Sequence, residues 1–505
     1  MKRLFYFLIL LLGCSSCDSL LDVEPRNGIT FEHYFRTEQD LEALVLQMHG
    51  TLRASLGQIS YHDHMGLKVD VVKENTNFQK VRSLNAAYLV QKSNQEQWKR
   101  YYNVLALADL YLDNYKKAQN VSEARLKYYL GQVNFVRAVC YFYLARDWGE
   151  AIITKGSMYT DCYAKSSVET VLDTAINTAL RAYNLLPKYE GLKDSKNNTL
   201  TSKQYGCKGN TAALLAHLYA WKGSVMNREA DLVNAETWAS KLIEPEFRDE
   251  VGVYTLAVNP EEVCTEVMHR KSAESLFELE ISYSDATTYP VFLPASYLIG
   301  APVMKNEEKA DIRDKNYGMS IPMIEEMYPV GDGRREAYFY KLDDPEWRTE
   351  GLAFLYKWRY ARYGASQSGE SWFVGFDLNK VIFRLADIYL LRAECRVKLG
   401  DVAGAKSDLG VIRQRAGAKA WPSENDSGDL QYDIFKEREK ELLHEGHRYY
   451  DVIRNGYWNT EFDSNFPKLS ETEVKDGALY LPVPQTAFSD NDLMIQNTYW
   501  VSKMK

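Results

Sequence analysis

Glu441 and Glu445 are the first pair in this chain that could do chemistry. They lie in the run IFKEREKELLHEGHRYYDVIR (Ile434–Arg454), where Arg438, Glu441, Glu445 and Arg448 recur at +3, +4 and +3, on one face of a helix. Two carboxylates one turn apart could work as an acid–base pair, with His444 or His447 carrying the proton. The same spacing gives each acid a base one turn away. A charged seam that holds this helix to a neighbour through charge-assisted bonds is therefore the expected role. His444-Glu445-Gly446-His447 is not the zinc-protease motif, because its histidines are three apart rather than four. His62-x-His64 is expected in a solvated loop. The sequence holds no GxSxG elbow, no P-loop and no GxGxxG after a strand. Beyond Cys14 and Cys17, the cysteines are Cys140, Cys162, Cys207, Cys264 and Cys395, widely spaced and without a CxxC pair. Neither a zinc site nor a disulfide framework is expected, and no cofactor is. Cys140 and Cys395 sit in apolar helical stretches and read as buried thiols.

A different chemistry, recognition of a ligand by exposed rings and hydrogen-bonding side chains, has candidates in two polar stretches. A ligand with an apolar face and a polar rim is recognised by exposed Trp or Tyr with Asn, Asp, Gln or Arg alongside. The segment 70–82 offers Asp70, Asn75, Asn77, Gln79 and Arg82. The segment 284–376 offers Tyr289, Tyr297, Trp347, Tyr363 and Trp372. Trp372 leads, because GASQSGESW surrounds one large ring with small and polar residues. Trp98, Trp148 and Trp221 fall in helical stretches and are expected in the core.

The elements that would position these groups are mostly helices. Glu38–Leu56 is helical by periodicity, and a long helix begins near Asn94 with Trp98, Tyr101, Leu105, Ala108 and Leu112 on one face. Ser122 can cap the next helix, whose apolar row runs Leu126, Leu130, Val133, Cys140 and Leu144. Ser167–Leu186 follows, stopped by Pro187, and then Asn210–Lys222 and Leu232–Ile243 form a pair. Residues 57–84 and 188–209 read as irregular. Ser275–Ser282 alternates like a strand. From 284 to 380 no long helix is convincing, and stretches of this kind inside a domain are usually functional loops. A helix apolar on two faces is expected from Ile382, ended by Gly400, with Asp401 capping the next. Tyr389, Ala393, Gly400-Asp401 and Ala405 fit a tetratricopeptide hairpin, and Tyr219, Gly223, Ala235 and Ala239 echo it. Three or four such pairs, stacked into a solenoid, are expected.

The chain has 505 residues, enough for two to three domains, and carries 36 tyrosines and a net charge of −8. It has no basic tract, which disfavours nucleic acid as a partner. Lys2-Arg3, the short apolar run Leu4–Gly13 and the following cysteines read as a lipoprotein leader. The run is too short to span a bilayer, which takes about 20 residues. Leu11-Leu12-Gly13 before Cys14 and Ser15-Ser16 before Cys17 both offer small residues at the cut, and one diacylated or triacylated cysteine would anchor the protein through its buried methylenes.

Several segments resemble the SusD/RagB family of surface lipoproteins. Cys17-Asp18-Ser19-Leu20-Leu21-Asp22-Val23-Glu24-Pro25 is similar to the family's mature start, which favours Cys17 over Cys14 as the lipidated residue. Phe135-Val136-Arg137-Ala138 through Trp148-Gly149, and Lys208–Gly223, resemble two of its helices. Arg384–Gly417 resembles its R-x-A-E … I-R-x-R-A-G hairpin, with Asp387 where Glu is usual. Glu437–Gly456, and Leu481-Pro482-Val483-Pro484 with Gln496-Asn497, resemble its closing elements.

The resemblance implies a mainly α, tetratricopeptide-like scaffold with a loop-rich, strand-poor subdomain carrying the ligand surface. It also implies no catalysis, an oligosaccharide ligand, a SusC-like TonB-dependent transporter as partner, and a lipid anchor in the outer membrane. The organisation it suggests is a leader over 1–16, a tether over 17–30, a helical region over 31–283, the loop-rich subdomain over 284–380 and a helical region over 381–505. The matching segments are scaffold, so the ligand residues rest on the physical argument alone. Three other readings stay open: capture of peptides, a surface glycosidase with two spaced carboxylates, and a pure protein-interaction scaffold.

Overall fold

The structure, a computed structural model, describes residues 35–72, 76–90, 94–281, 298–300, 303–304, 317–347, 351–365 and 371–503. Four helical hairpins carry it. The first pairs α1 (Glu38–Leu56), which follows the short segment from Phe35, with a long helix Asn94–Asn114. Between them lie α2 (Tyr61–Gly66), the two-residue strand β1 (Val71–Val72) and α3 (Thr76–Arg82), so the stretch 57–84 is more helical than its sequence suggests. The long helix is α4. The remaining hairpins are α5 (Glu123–Asp147) with α6 (Val168–Leu185), α7 (Lys208–Val225) with α8 (Glu229–Ile243), and α11 (Leu385–Lys398) with α12 (Val402–Ala416). Two short helices, α9 (Ile321–Met327) and α10 (Arg334–Tyr338), fall between the third and fourth hairpins. Successive hairpins touch through α4–α5, α6–α7 and α8–α11, which makes the stack continuous.

Local chemistry explains the boundaries. Thr37 and Asp40 form a capping box at α1, and Ser122, Ser167 and Asp401 accept backbone N–H groups at the starts of α5, α6 and α12. Close approach needs small residues. A Cβ at Gly223 would lie 2.9 Å from Leu232, where α7 crosses α8, and Ala212, Ala213, Ala216 and Ala220 of α7 are buried.

Two helix expectations are corrected. Ile382 and Phe383 are not helical; they belong to β6 (Lys380–Arg384), which pairs antiparallel with β2 (Ser275–Leu279) before α11 begins. The run from Ile434 to Arg454 is not one helix. It forms α13 (Leu430–Glu441) and α14 (Arg448–Arg454), broken by a turn in which His444 and Gly446 have φ of +58° and +91°. Glycine tolerates that conformation and ends the helical path there.

Two further strand pairs lie in the loop-rich part: β1 with β3 (Tyr317–Gly318), and β4 (Ala361–Ala365) with β5 (Ser371–Phe376). The largest apolar core runs through the hairpins. A second core lies beneath the loop-rich part and includes Leu67, Phe78, Ile299, Tyr328, Trp358 and Phe376. The fold is mainly α, with a tetratricopeptide-like helical scaffold and short strands.

Candidate functional site

Among the described residues of the second polar stretch, Trp372 is the large ring left most open. It sits on β5 opposite Gly364 of β4 and is 52% exposed. A Cβ at Gly364 would fall 2.5 Å from its Cζ2 atom, so the indole lies across bare backbone. The glycine thus supplies a flat seat, and half of the ring surface remains in water. The strand alternation turns Phe373 the other way, where it meets Phe376 at 5.2 Å in the second core. Tyr363, paired with Phe373, follows it inward. Its hydroxyl donates to the Val303 carbonyl, and burial raises its pKa. Tyr363 therefore fastens the hairpin to the second core.

Trp347 corrects an expectation. It is 4% exposed, edge-on to Tyr340 at 4.5 Å and to Phe354 at 5.5 Å, and it offers no free face. Arg82 is also enclosed. Its guanidinium pairs with Asp463 and lies 5.1 Å over the Phe78 ring, and burial lowers its pKa to about 10. Asn77 is exposed on α3. Asn75, Tyr289, Tyr297, Cys14 and Cys17 lie outside the described residues.

The two polar stretches are neighbours in space. Val71 and Val72 pair with Gly318 and Tyr317, the Ser320 hydroxyl donates to Asp70, and Phe78 enters the core beneath the hairpin. Sequence reasoning missed a further set of rings. Tyr340 and Tyr356 meet at 5.0 Å, Arg359 lies 4.1 Å over Tyr356, and Tyr360 stacks on His269 at 4.0 Å. All are half-buried. The signal was the tyrosine density of YFYK and LYKWRYARY, which composition alone could not assign to surface or core.

The charged run does the positioning. Arg384, at the end of β6, uses all five N–H donors: on Glu274 at 2.7 Å, on both oxygens of Glu445 at 2.8 Å, and on the carboxylate and carbonyl of Glu441 at 2.8 Å. Lys357, seven residues before Gly364, donates to Glu445 at 2.5 Å and to the carbonyls of Glu441 and Leu443. The seam therefore ties the turn between α13 and α14 to the segment leading into the hairpin. The side chains of Glu441 and Glu445 are 1% and 3% exposed. Although burial acts to raise their pKa values, Arg415, Arg384 and Arg334 around Glu441, and Arg384 and Lys357 around Glu445, hold both below the usual carboxylate range. Each is fixed as a carboxylate with its acceptors occupied, so this pair offers no proton for acid catalysis. The partners are not the bases one turn away: Arg438 binds Asp387 and Asp451, and Arg448 binds Glu439. Among the described residues no group of histidine, cysteine and carboxylates is placed to hold a metal.

Comparison with known proteins agrees with this architecture. A family model described as the SusD family matches residues 341–500, and one described as starch-binding associating with outer membrane matches residues 20–203. SusD-like protein P25 of Formosa agariphila is 23% identical, covering 98% of each chain. A SusD homolog from Bacteroides thetaiotaomicron superposes with a TM-score of 0.74 at 19% identity, over 92% of this chain and 99% of that one. A laminarin-binding SusD-like protein superposes with a TM-score of 0.68 at 17% identity, over 92% and 99%. The helical scaffold is the fold that this chain shares with these structures. The chain belongs to the SusD/RagB family.

Proposed function

We propose that this protein captures oligosaccharide or polysaccharide at the cell surface, without catalysis, and hands it to a TonB-dependent transporter of the SusC type in the outer membrane. A lipid on Cys17, with Cys14 as the alternative, would provide the anchor. Among the described residues no helix is long and apolar enough to cross a membrane. The observation that carries the reading is Trp372, a half-exposed indole seated on the bare backbone of Gly364 at the end of a hairpin. One ring face held open on a fixed support suits the apolar side of a sugar. Similar proteins point the same way: one matching family is described as starch-binding, and one structural neighbour as laminarin-binding. The buried, ionised state of Glu441 and Glu445 weighs against a glycosidase that would use them.

The test is calorimetric binding of the domain from Asp18 onward to soluble starch, laminarin, mannan and pectin, and to a peptide mixture, with Trp372→Ala in parallel and products analysed. Binding of one glycan class, weakened in the variant and without product, is the expected result. Binding of peptide alone, or release of sugar, overturns the reading.

A further inference from the structure

A second concave site lies on the helical scaffold, away from the hairpin and its core. A cleft of about 920 Å³ opens where α7 turns into α8, beside the ends of α11 and α14 and the short helix Glu471–Lys475. Its size lies within the range of small-ligand sites. Val225, Met226, Leu232, Ile453 and Val474 give it an apolar lining. Two rings join them. Tyr480 rests on Gly149, where a Cβ would lie 2.9 Å from its Cδ2 atom, and Trp458 lies beside Gly456, 3.8 Å from the position of a Cβ there. Both rings are half-buried against the main core.

The polar groups decide the ligand class. Two cations in the cleft, Lys398 and Arg454, are already neutralised, while Lys475, Glu229 and Glu471 are exposed at its rim. Lys398 spends its three donors on Ser224, Glu394 and the Arg454 carbonyl, and Arg454 is bound to Glu394 and Asp451. Three neutral groups are open to water. Among the described residues the Trp458 Nε1–H, the Tyr480 hydroxyl and the Asn227 amide have no hydrogen-bond partner. Rings beside open neutral donors and acceptors, with the remaining charges on solvated side chains at the rim, fit a polyhydroxylated chain. An extended peptide would look for a free strand edge, and every described segment lining this cleft is a helix or a turn.

We propose that this cleft is an auxiliary glycan subsite, which holds a second stretch of the same polymer whose first contact is made at Trp372. The inference rests on the capture reading and extends it. Two linked contacts raise the apparent affinity for a long chain without raising it for a short one. Trp458→Ala is therefore expected to weaken binding of the polysaccharide that the wild type binds by roughly tenfold or more, and to leave a trisaccharide of the same linkage unchanged. Trp372→Ala is expected to weaken both. Trp458→Phe, which keeps the ring and removes the N–H, is expected to fall between wild type and Trp458→Ala. Hydrogen exchange on the wild type gives a check that needs no variant: the polysaccharide protects residues 223–232 and 453–458, and the trisaccharide does not. A folded Trp458→Ala with unchanged polymer affinity, or no added protection in these segments, overturns the subsite while leaving capture at Trp372 standing. Failure of every polysaccharide in the panel to bind the wild type overturns both.

Discussion

Arg384→Met tests the seam that holds the loop-rich part to the scaffold. The guanidinium is 0% exposed and makes five hydrogen bonds, to Glu274, Glu441 and Glu445. Methionine has a similar length but leaves these acceptors without their shared partner. The loss is not the sum of five bonds. Glu441 and Glu274 keep Arg415, and Glu445 keeps Lys357. Removing one member of a buried ion pair destabilises by about 3–5 kcal/mol, and that range is the expectation at pH 7.5. The pH dependence has a definite sign. In the wild type, Glu441 and Glu445 have folded pKa values below their unfolded ones, so their contribution is present above the unfolded carboxylate range and is lost as pH falls through the folded values. Without Arg384 the folded values rise, so the gap between wild type and variant narrows from pH 7.5 towards pH 4. Urea unfolding followed by far-ultraviolet circular dichroism at several pH values measures it. A loss below about 1 kcal/mol, or a gap that stays constant with pH, would refute the assignment of this seam as the device that holds the two parts together.

Other outcomes follow from the same geometry. Gly364→Ala places a methyl 2.5 Å from the Trp372 indole and displaces it, so glycan affinity should fall about as far as in Trp372→Ala while the melting temperature stays within a few degrees; intact binding by calorimetry would contradict the proposed seat. Burial holds His49, His64 and His447 at pKa values of about 4 and His444 at about 3, against about 6.5 when unfolded. The unfolded chain therefore takes up protons that the folded chain refuses, and the melting temperature should begin to fall below pH 6.5, before the carboxylates titrate; a flat profile from pH 7.5 to 5 would count against it. In the domain from Asp18 onward, Cys162 is the exposed thiol among the five, and burial raises the pKa of Cys140 and Cys207, and takes Cys264 and Cys395 to about 12. Ellman's reagent should titrate one thiol in the native protein and five after denaturation.

The helices were written locally. Glu38–Leu56 was legible to the residue, because periodicity and a capping box act within a few positions, and Ser122 and Asp401 cap as their neighbours require. The family resemblance was legible for the same reason: its motifs are helix faces and turns. The charged run was recognisable as a seam, but its partners were not. Arg384 meets Glu274 across 110 residues and Glu441 across 57, distances over which spacing carries no information. Ile382 and Phe383 suit either a buried helix or a strand, and the pairing of β6 with β2 selected the strand. The ring face depended most on the tertiary structure. Trp347 and Trp372 are the same side chain in similarly polar surroundings. One is enclosed by Tyr340 and Phe354, and the other is left on open backbone at Gly364. The exposure of a ring is set by what the rest of the chain packs against it, so sequence alone determined the scaffold and only the folded structure decided which surface is free to bind.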